Sequence, residues 1–278
     1  MLRKLLKFEI QSMSRVFLPM YLAIIFFSFL GGVSMSGIDT FMHGPGVFSG
    51  FMMVIVTGLF IALFVITILM CVKRFSKNLL GDEGYLMMTL PVKTSAIIHS
   101  KWIGAFVWVI LTSVVGTLSM FIIIFFASST FNFRDLLDLI KKGLQFLHEN
   151  NLMLTAIMFV ILVLLNYVKS IFSIYLALSL AHLEPCVSHK TSLGFLFFCV
   201  INALESLILN RTTIAGAYLL GLSDKLNSPY AINQIFMNVK NVSETNTLLI
   251  IILVLSFLMV VALYYLTENI LNKHLNLQ

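Results

Sequence analysis

Charge is what this chain has little of. Asp, Glu, Lys and Arg make up 11% of its 278 residues, against about 25% in an ordinary soluble domain. Apolar residues make up 59%, and the mean hydropathy is +1.00. A soluble globular fold is excluded, and the chain belongs in a bilayer. No polar gap is long enough to fold a separate extramembrane domain. Cysteine is scarce too. Cys71, Cys186 and Cys199 lie in or beside apolar runs, match no metal-binding spacing and suggest no disulfide. His43, His99, His148, His182, His189 and His274 are scattered, with no H-E-x-x-H spacing. No serine occupies a G-x-S-x-G turn, so an intramembrane hydrolase has no constellation to work with. A G-x-x-x-x-G-K-S/T phosphate loop is also missing, so the chain cannot bind and hydrolyse ATP in that way. The first apolar run follows a charged arm and lacks the small-residue cleavage site of a signal peptide. The net charge of +6 does not argue for nucleic acid, because membrane proteins collect Lys and Arg on their cytoplasmic side.

What remains is long apolar runs. Crossing the hydrocarbon takes about 20 apolar residues in a helix. Uncharged runs occur at Val16–Ser36, Phe48–Val72, Trp102–Ser129, Asn151–Val168, Thr191–Leu204 and Thr245–Thr267. The fourth continues past Lys169 to Ala181 and the fifth past Glu205 to Asn210. The runs do not alternate, so helices rather than barrel strands satisfy the backbone in lipid. The expected fold is an all-α integral membrane protein of six transmembrane helices, one domain over residues 1–278. With the N-terminus inside, the inner segments hold eleven Lys and Arg and the outer segments six, Lys169 being left out as intramembrane. That bias predicts N-in, C-in.

Three segments between the runs have character. In residues 1–15, Leu2, Leu5, Leu6, Met13 and Val16 share one helical face, and Arg3, Lys4, Lys7, Gln11 and Arg15 the other. This predicts an amphipathic interfacial helix. Glu9 falls within its apolar face, where an acid either snorkels to water or pairs with a cation of the inner loops. In residues 130–150, Phe133, Leu136, Leu137, Ile140, Leu144 and Leu147 follow helical spacing, and Asp138 precedes Lys142 by four. That predicts a helix lying on the outer leaflet. Residues 211–244 are a polar outer loop, expected to form a short cap.

The most informative stretch is residues 73–101, KRFSKNLLGDEGYLMMTLPVKTSAIIHSK, ringed by five Lys and Arg. Gly81 and Gly84 bracket Asp82 and Glu83 and permit a tight reversal. Tyr85, Leu86, Met87 and Met88 then form an apolar knob suited to an adaptable contact. Pro91 ends the turn, and Thr94 can cap the helix that follows.

Gly81-Asp82-Glu83-Gly84-Tyr85-Leu86, then Thr89-Leu90-Pro91-Val92, then Ser100-Lys101 entering a span, resemble the first cytoplasmic loop of type-2 ABC exporter permeases. Lys7-Phe8-Glu9 through Arg15-Val16-Phe17-Leu18-Pro19 is similar to that family's opening arm. Leu178–Asn202, with His189-Lys190 and Leu193-Gly194, is similar to its fourth-to-fifth helix turn. The resemblance implies that residues 73–101 carry a cytoplasmic coupling helix. A separate ABC ATP-binding subunit would dock on it around Asp82–Leu90, through Asp82, Glu83, Tyr85, Leu86, Met87, Met88 and Pro91, with Glu9 beside them. This chain would bind no cofactor; ATP and magnesium would sit on the partner. A second permease, identical or related, would complete the membrane unit.

Two ionisable residues lie within runs and are functional candidates for that reason. Depth counting places Lys169 near the inner interface, snorkelling to phosphates, and Glu205 towards the outside, so no pair is expected between them. Glu205 and Asn202 share one face of the fifth helix. They either line a translocation path, with Thr57 or Thr67 of the second helix, or mark the outer end of a short helix in water. The function expected is an exporter half moving an amphiphilic substrate (a peptide, a lipid-like molecule or a drug). The alternative is a non-transporting membrane immunity or sensor protein. A secondary transporter fits poorly, because no internal repeat is visible. The Phe-, Ile-, Asn- and Lys-rich spelling fits a low-GC bacterium, hence a bacterial plasma membrane.

Overall fold

A computed structural model describes residues 2–35, 47–76, 94–127, 133–183, 190–219 and 242–273. The described residues form seven helices and no strand: α1 (Leu2–Met35), α2 (Val47–Phe75), α3 (Thr94–Ala127), α4 (Phe133–Glu149), α5 (Met153–Ala181), α6 (Lys190–Leu219) and α7 (Val242–Lys273). All except α4 are long and apolar enough to cross a membrane, which gives six spans.

The helices outrun the hydropathy signal. At 34 residues, α1 is about 51 Å long, well beyond the ~30 Å hydrocarbon thickness. Residues 1–15 were expected as a separate interfacial helix. Residues 2–15 are instead the first turns of α1, continuous through Pro19 into the first span. Hydropathy marks only the lipid-buried stretch, whereas the helix continues wherever its backbone bonds are not broken. Likewise α6 runs to Leu219, nine residues into the segment expected as outer loop. The rest of that expected loop up to Asn241 lies outside the described residues.

Two compact units emerge, residues 1–74 with 96–143 and residues 75–95 with 144–278. In the first, Met13, Phe17, Tyr21 and Ile24 of α1 form a buried cluster with Leu63 of α2 and Trp108 of α3. Phe17 stacks on Trp108 with ring centroids 4.9 Å apart. Tyr21 Oη and Thr112 Oγ1 are 2.8 Å apart in a hydrogen bond. Partners in these two contacts are 91 residues apart in sequence, so α1 and α3 run parallel in constant register. Further along, Gly32 meets α3 closely. A Cβ there would lie 2.8 Å from Phe126 Cβ and 3.0 Å from the Ile123 carbonyl oxygen. Backbone and a Cβ cannot rotate away, so Gly32→Ala forces the helices apart. A loss of about 1–3 kcal/mol is expected. Gly58→Ala is the control, since nothing lies within 4 Å of its Cβ position. Thermal unfolding in detergent should lower Tm for the first variant and spare the second.

In the second unit α5 and α7 also run parallel. Near their starts Thr155 Oγ1 donates to Asn246 Oδ1 at 2.6 Å; deeper in, Phe172 meets Tyr264 edge-on at 5.6 Å. The antiparallel α6 begins beside the end of α5, where a methyl at Gly194 would touch Ala181 and Leu178. The later half of α5 is the core of this unit, with Ile171, Phe172, Tyr175, Leu176 and Ala177 buried, and Phe75 stacks on Tyr175 at 4.1 Å. Span hydroxyls mostly donate back to their own helix, as Thr67 does to the Leu63 carbonyl and Thr267 to that of Leu263. Lipid offers no water to satisfy them.

The link from α4 to α5 is fixed by backbone geometry. Asn151 takes φ 54, a left-handed conformation that asparagine tolerates. The Asn151 N–H donates to the His148 carbonyl and the Leu152 N–H to that of Leu147, at 3.1 and 2.8 Å. This pair of bonds is a Schellman cap, which closes α4 and turns the chain into the fourth span.

Candidate functional site: two buried ion pairs

Glu9 is 3% exposed on the packed face of α1. Its Oε1 accepts from Lys101 Nζ at 2.9 Å, and Lys101 is itself 2% exposed. Arg74 Nη1 lies 3.9 Å from Glu9 Oε2, and Arg74 also donates to Ser12 Oγ. Of the two fates open to Glu9, the structure shows pairing, with Lys101 and Arg74, rather than snorkelling. α3 passes close beside Glu9: a Cβ at Gly104, one turn after Lys101, would sit in van der Waals contact with Glu9 Cβ, 3.4 Å away. A buried pair offsets its desolvation only with close geometry and further polar partners; here the contact is close at 2.9 Å, and Arg74 supplies a second cation beside the carboxylate. One carboxylate thus joins α1 to the end of α2 and the first turns of α3. Those two helices flank residues 77–93. Asp82, Glu83, Tyr85, Leu86, Met87, Met88 and Pro91 lie outside the described residues.

The second pair corrects an expectation. Lys169 Nζ on α5 lies 3.6 Å from Glu205 Oε2 on α6, with side chains 12% and 10% exposed. Depth counting failed because it placed each residue from an assumed span end on an opposite membrane face. The turn between the helices sets the register instead. From the meeting of Ala181 with Gly194, Lys169 is twelve residues back and Glu205 eleven residues on, so the two are level. Glu205 is therefore not the water-exposed end of a short helix; α6 continues fourteen residues beyond it. Its second oxygen, Oε1, is buried without a hydrogen-bond partner. Asn202, one turn earlier, is half-buried and donates to the Phe198 carbonyl at 2.8 Å. Thr57 is exposed and donates to the Met53 carbonyl, while Thr67 is buried against its own helix. Among the described residues no cluster of His, Cys, Asp and Glu could hold a metal ion.

Six apolar helices with polar contacts concentrated at buried pairs define a multi-pass membrane protein. A comparison with protein families matches residues 5–183, well over half of the chain, to the ABC-2 family transporter protein. The chain belongs to that family and is a permease subunit of an ABC transporter. Such a subunit is a transport component, not itself catalytic, and membership implies an ATP-binding partner subunit. The matched region holds Glu9, Arg74, Lys101 and Lys169, and stops short of Asn202 and Glu205. No curated protein and no solved structure matches the chain.

Proposed function

We propose that this chain is the membrane half of an ATP-driven exporter that moves an amphiphilic substrate, such as a peptide, a lipid-like molecule or a drug, out of a bacterial cell. Both termini face the cytoplasm. The partner subunit binds ATP and magnesium and docks on residues 77–93, through Asp82, Glu83, Tyr85, Leu86, Met87, Met88 and Pro91. A second permease, identical or related, completes the membrane unit.

The observation that carries this reading is the Glu9 junction. A push on residues 77–93 enters the end of α2 and the start of α3. Glu9 binds both through Arg74 and Lys101 and so takes α1 along. Rigid elements joined this way transmit motion as a body rather than dissipating it in a loop. Glu205 and Asn202 supply polar groups along the substrate path, with Thr57 and Thr67 as further polar positions. The Lys169 pairing keeps the Glu205 charge tolerable within the span.

The test is co-purification with the cognate ATP-binding subunit, comparing the parent chain with Tyr85→Ala/Leu86→Ala. The variant is expected to lose most of the retained partner, or most of the ATPase rate, while the permease stays folded. Unchanged binding and turnover would move the docking site elsewhere. Absence of any ATP-binding partner would favour the immunity or sensor reading.

A further inference from the structure

α4 is the one described helix that does not qualify as a span, and its surface is unusual for a helix in water. Leu137, Ile140 and Leu144 fall on one arc and are exposed, and Leu139 and Phe146, also exposed, extend that arc on one side. On the other side of the arc, Arg134, Lys141 and His148 follow one another at seven-residue spacing, all exposed. A seven-residue step drifts only about 20° around a helix, so these three form a basic row along the apolar border. Asp135, Asp138 and Glu149 lie away from that border.

Covalent connection says where this surface is. The apolar α3 ends at Ala127, five residues before α4, and α5 begins at Met153, just past the Schellman cap. Five residues reach at most about 18 Å. Both ends of α4 are therefore tied to span ends, and because α4 does not itself cross, those span ends open on one side of the bilayer. An apolar arc held there meets acyl chains, and a basic row beside it meets the phosphates above them.

We propose that α4 is an interfacial helix that binds anionic phospholipid, with its apolar arc in the acyl chains and Arg134, Lys141 and His148 on the headgroup phosphates. The idea does not depend on the transported substrate or on the direction of transport.

The test uses the full chain with its three cysteines replaced by serine and single cysteines placed at Leu137, Ile140, Leu144, Asp138 or Lys142. Nitroxide labels are examined in vesicles of mixed phosphatidylglycerol and phosphatidylcholine. Labels at 137, 140 and 144 are expected to be accessible to oxygen and protected from a water-soluble nickel chelate, and those at 138 and 142 the reverse. Nickel access at all five sites would put the helix in water and overturn the proposal. Protection of the apolar arc from both reagents would mean that protein covers it, with the same consequence. A bimane at position 144 should then be quenched at least about twofold more by brominated phosphatidylglycerol than by brominated phosphatidylcholine, since each basic residue near an anionic surface contributes up to about fivefold. Arg134→Gln/Lys141→Gln should abolish the difference. Equal quenching in the parent chain would overturn the headgroup assignment.

Discussion

Glu9→Gln is expected to destabilise the permease by about 3–5 kcal/mol, because it strands a buried lysine beside a neutral partner. Lys101 is 2% exposed and cannot reach water by a small rotation. Lys101→Met should cost less, because Arg74 remains 3.9 Å from the carboxylate and is itself partly exposed. The double variant Glu9→Gln/Lys101→Met removes both buried charges and should recover to within about 1 kcal/mol of the parent, as ion pairs exchanged for apolar contacts often do. Arg74 then keeps Ser12 as a hydrogen-bond partner. Unfolding in detergent ranks the three. The ATPase rate of the assembled complex separates fold from coupling: the double variant should keep its partner and its stability yet turn over more slowly, because the charged tie from Glu9 to Arg74 and Lys101 is gone and α1 is held by the Ser12 bond and the Phe17 cluster alone. Glu9→Gln with parental stability would remove the junction from the account.

Lys169→Met is the second large effect. It leaves the Glu205 carboxylate in the middle of a span with one oxygen already unpartnered. A cost of about 3–5 kcal/mol follows from breaking a buried pair. Glu205→Gln should be milder, since a freed lysine carries a long stem on which to swing its charge towards an interface. The double variant should again approach parental stability. Transport is the separate readout: if Glu205 lines the path, Glu205→Gln lowers transport in a protein that still assembles and still hydrolyses ATP. Equal transport by Glu205→Gln and the parent would leave the pair a structural clamp between α5 and α6.

Six spans were legible because composition alone excludes water; four runs exceed the hydrocarbon thickness on their own, and the other two reach it only when carried past Lys169 and Glu205. The helix at residues 133–149 was legible from its spacing, and Asn151 after it is the residue that makes the turn possible. Helix ends were less legible. The first run was read from Val16, yet α1 is continuous from Leu2 through Pro19, because a helix that loses one backbone bond is held by its neighbours. The sequence left Glu9 two fates, snorkelling or pairing, and the outcome is three-dimensional: α2 and α3 bring Arg74 and Lys101 to its carboxylate. The Lys169–Glu205 pair was hidden because sequence gives the order of spans but not their vertical register. A short turn between two antiparallel helices carries that signal. Counting outward from residues 182–189 in both directions, rather than from the assumed outer and inner ends, puts Lys169 thirteen residues back and Glu205 sixteen on, within about one helical turn of each other.

The most direct test of the whole account is ATP-dependent accumulation of labelled amphiphilic peptides and dyes in inside-out vesicles that contain this chain and its ATP-binding subunit. The account predicts accumulation that requires both proteins and vanishes when the partner cannot hydrolyse ATP. A complex that assembles and hydrolyses ATP yet moves no member of the panel, or a chain that recruits no ATP-binding subunit, would contradict it.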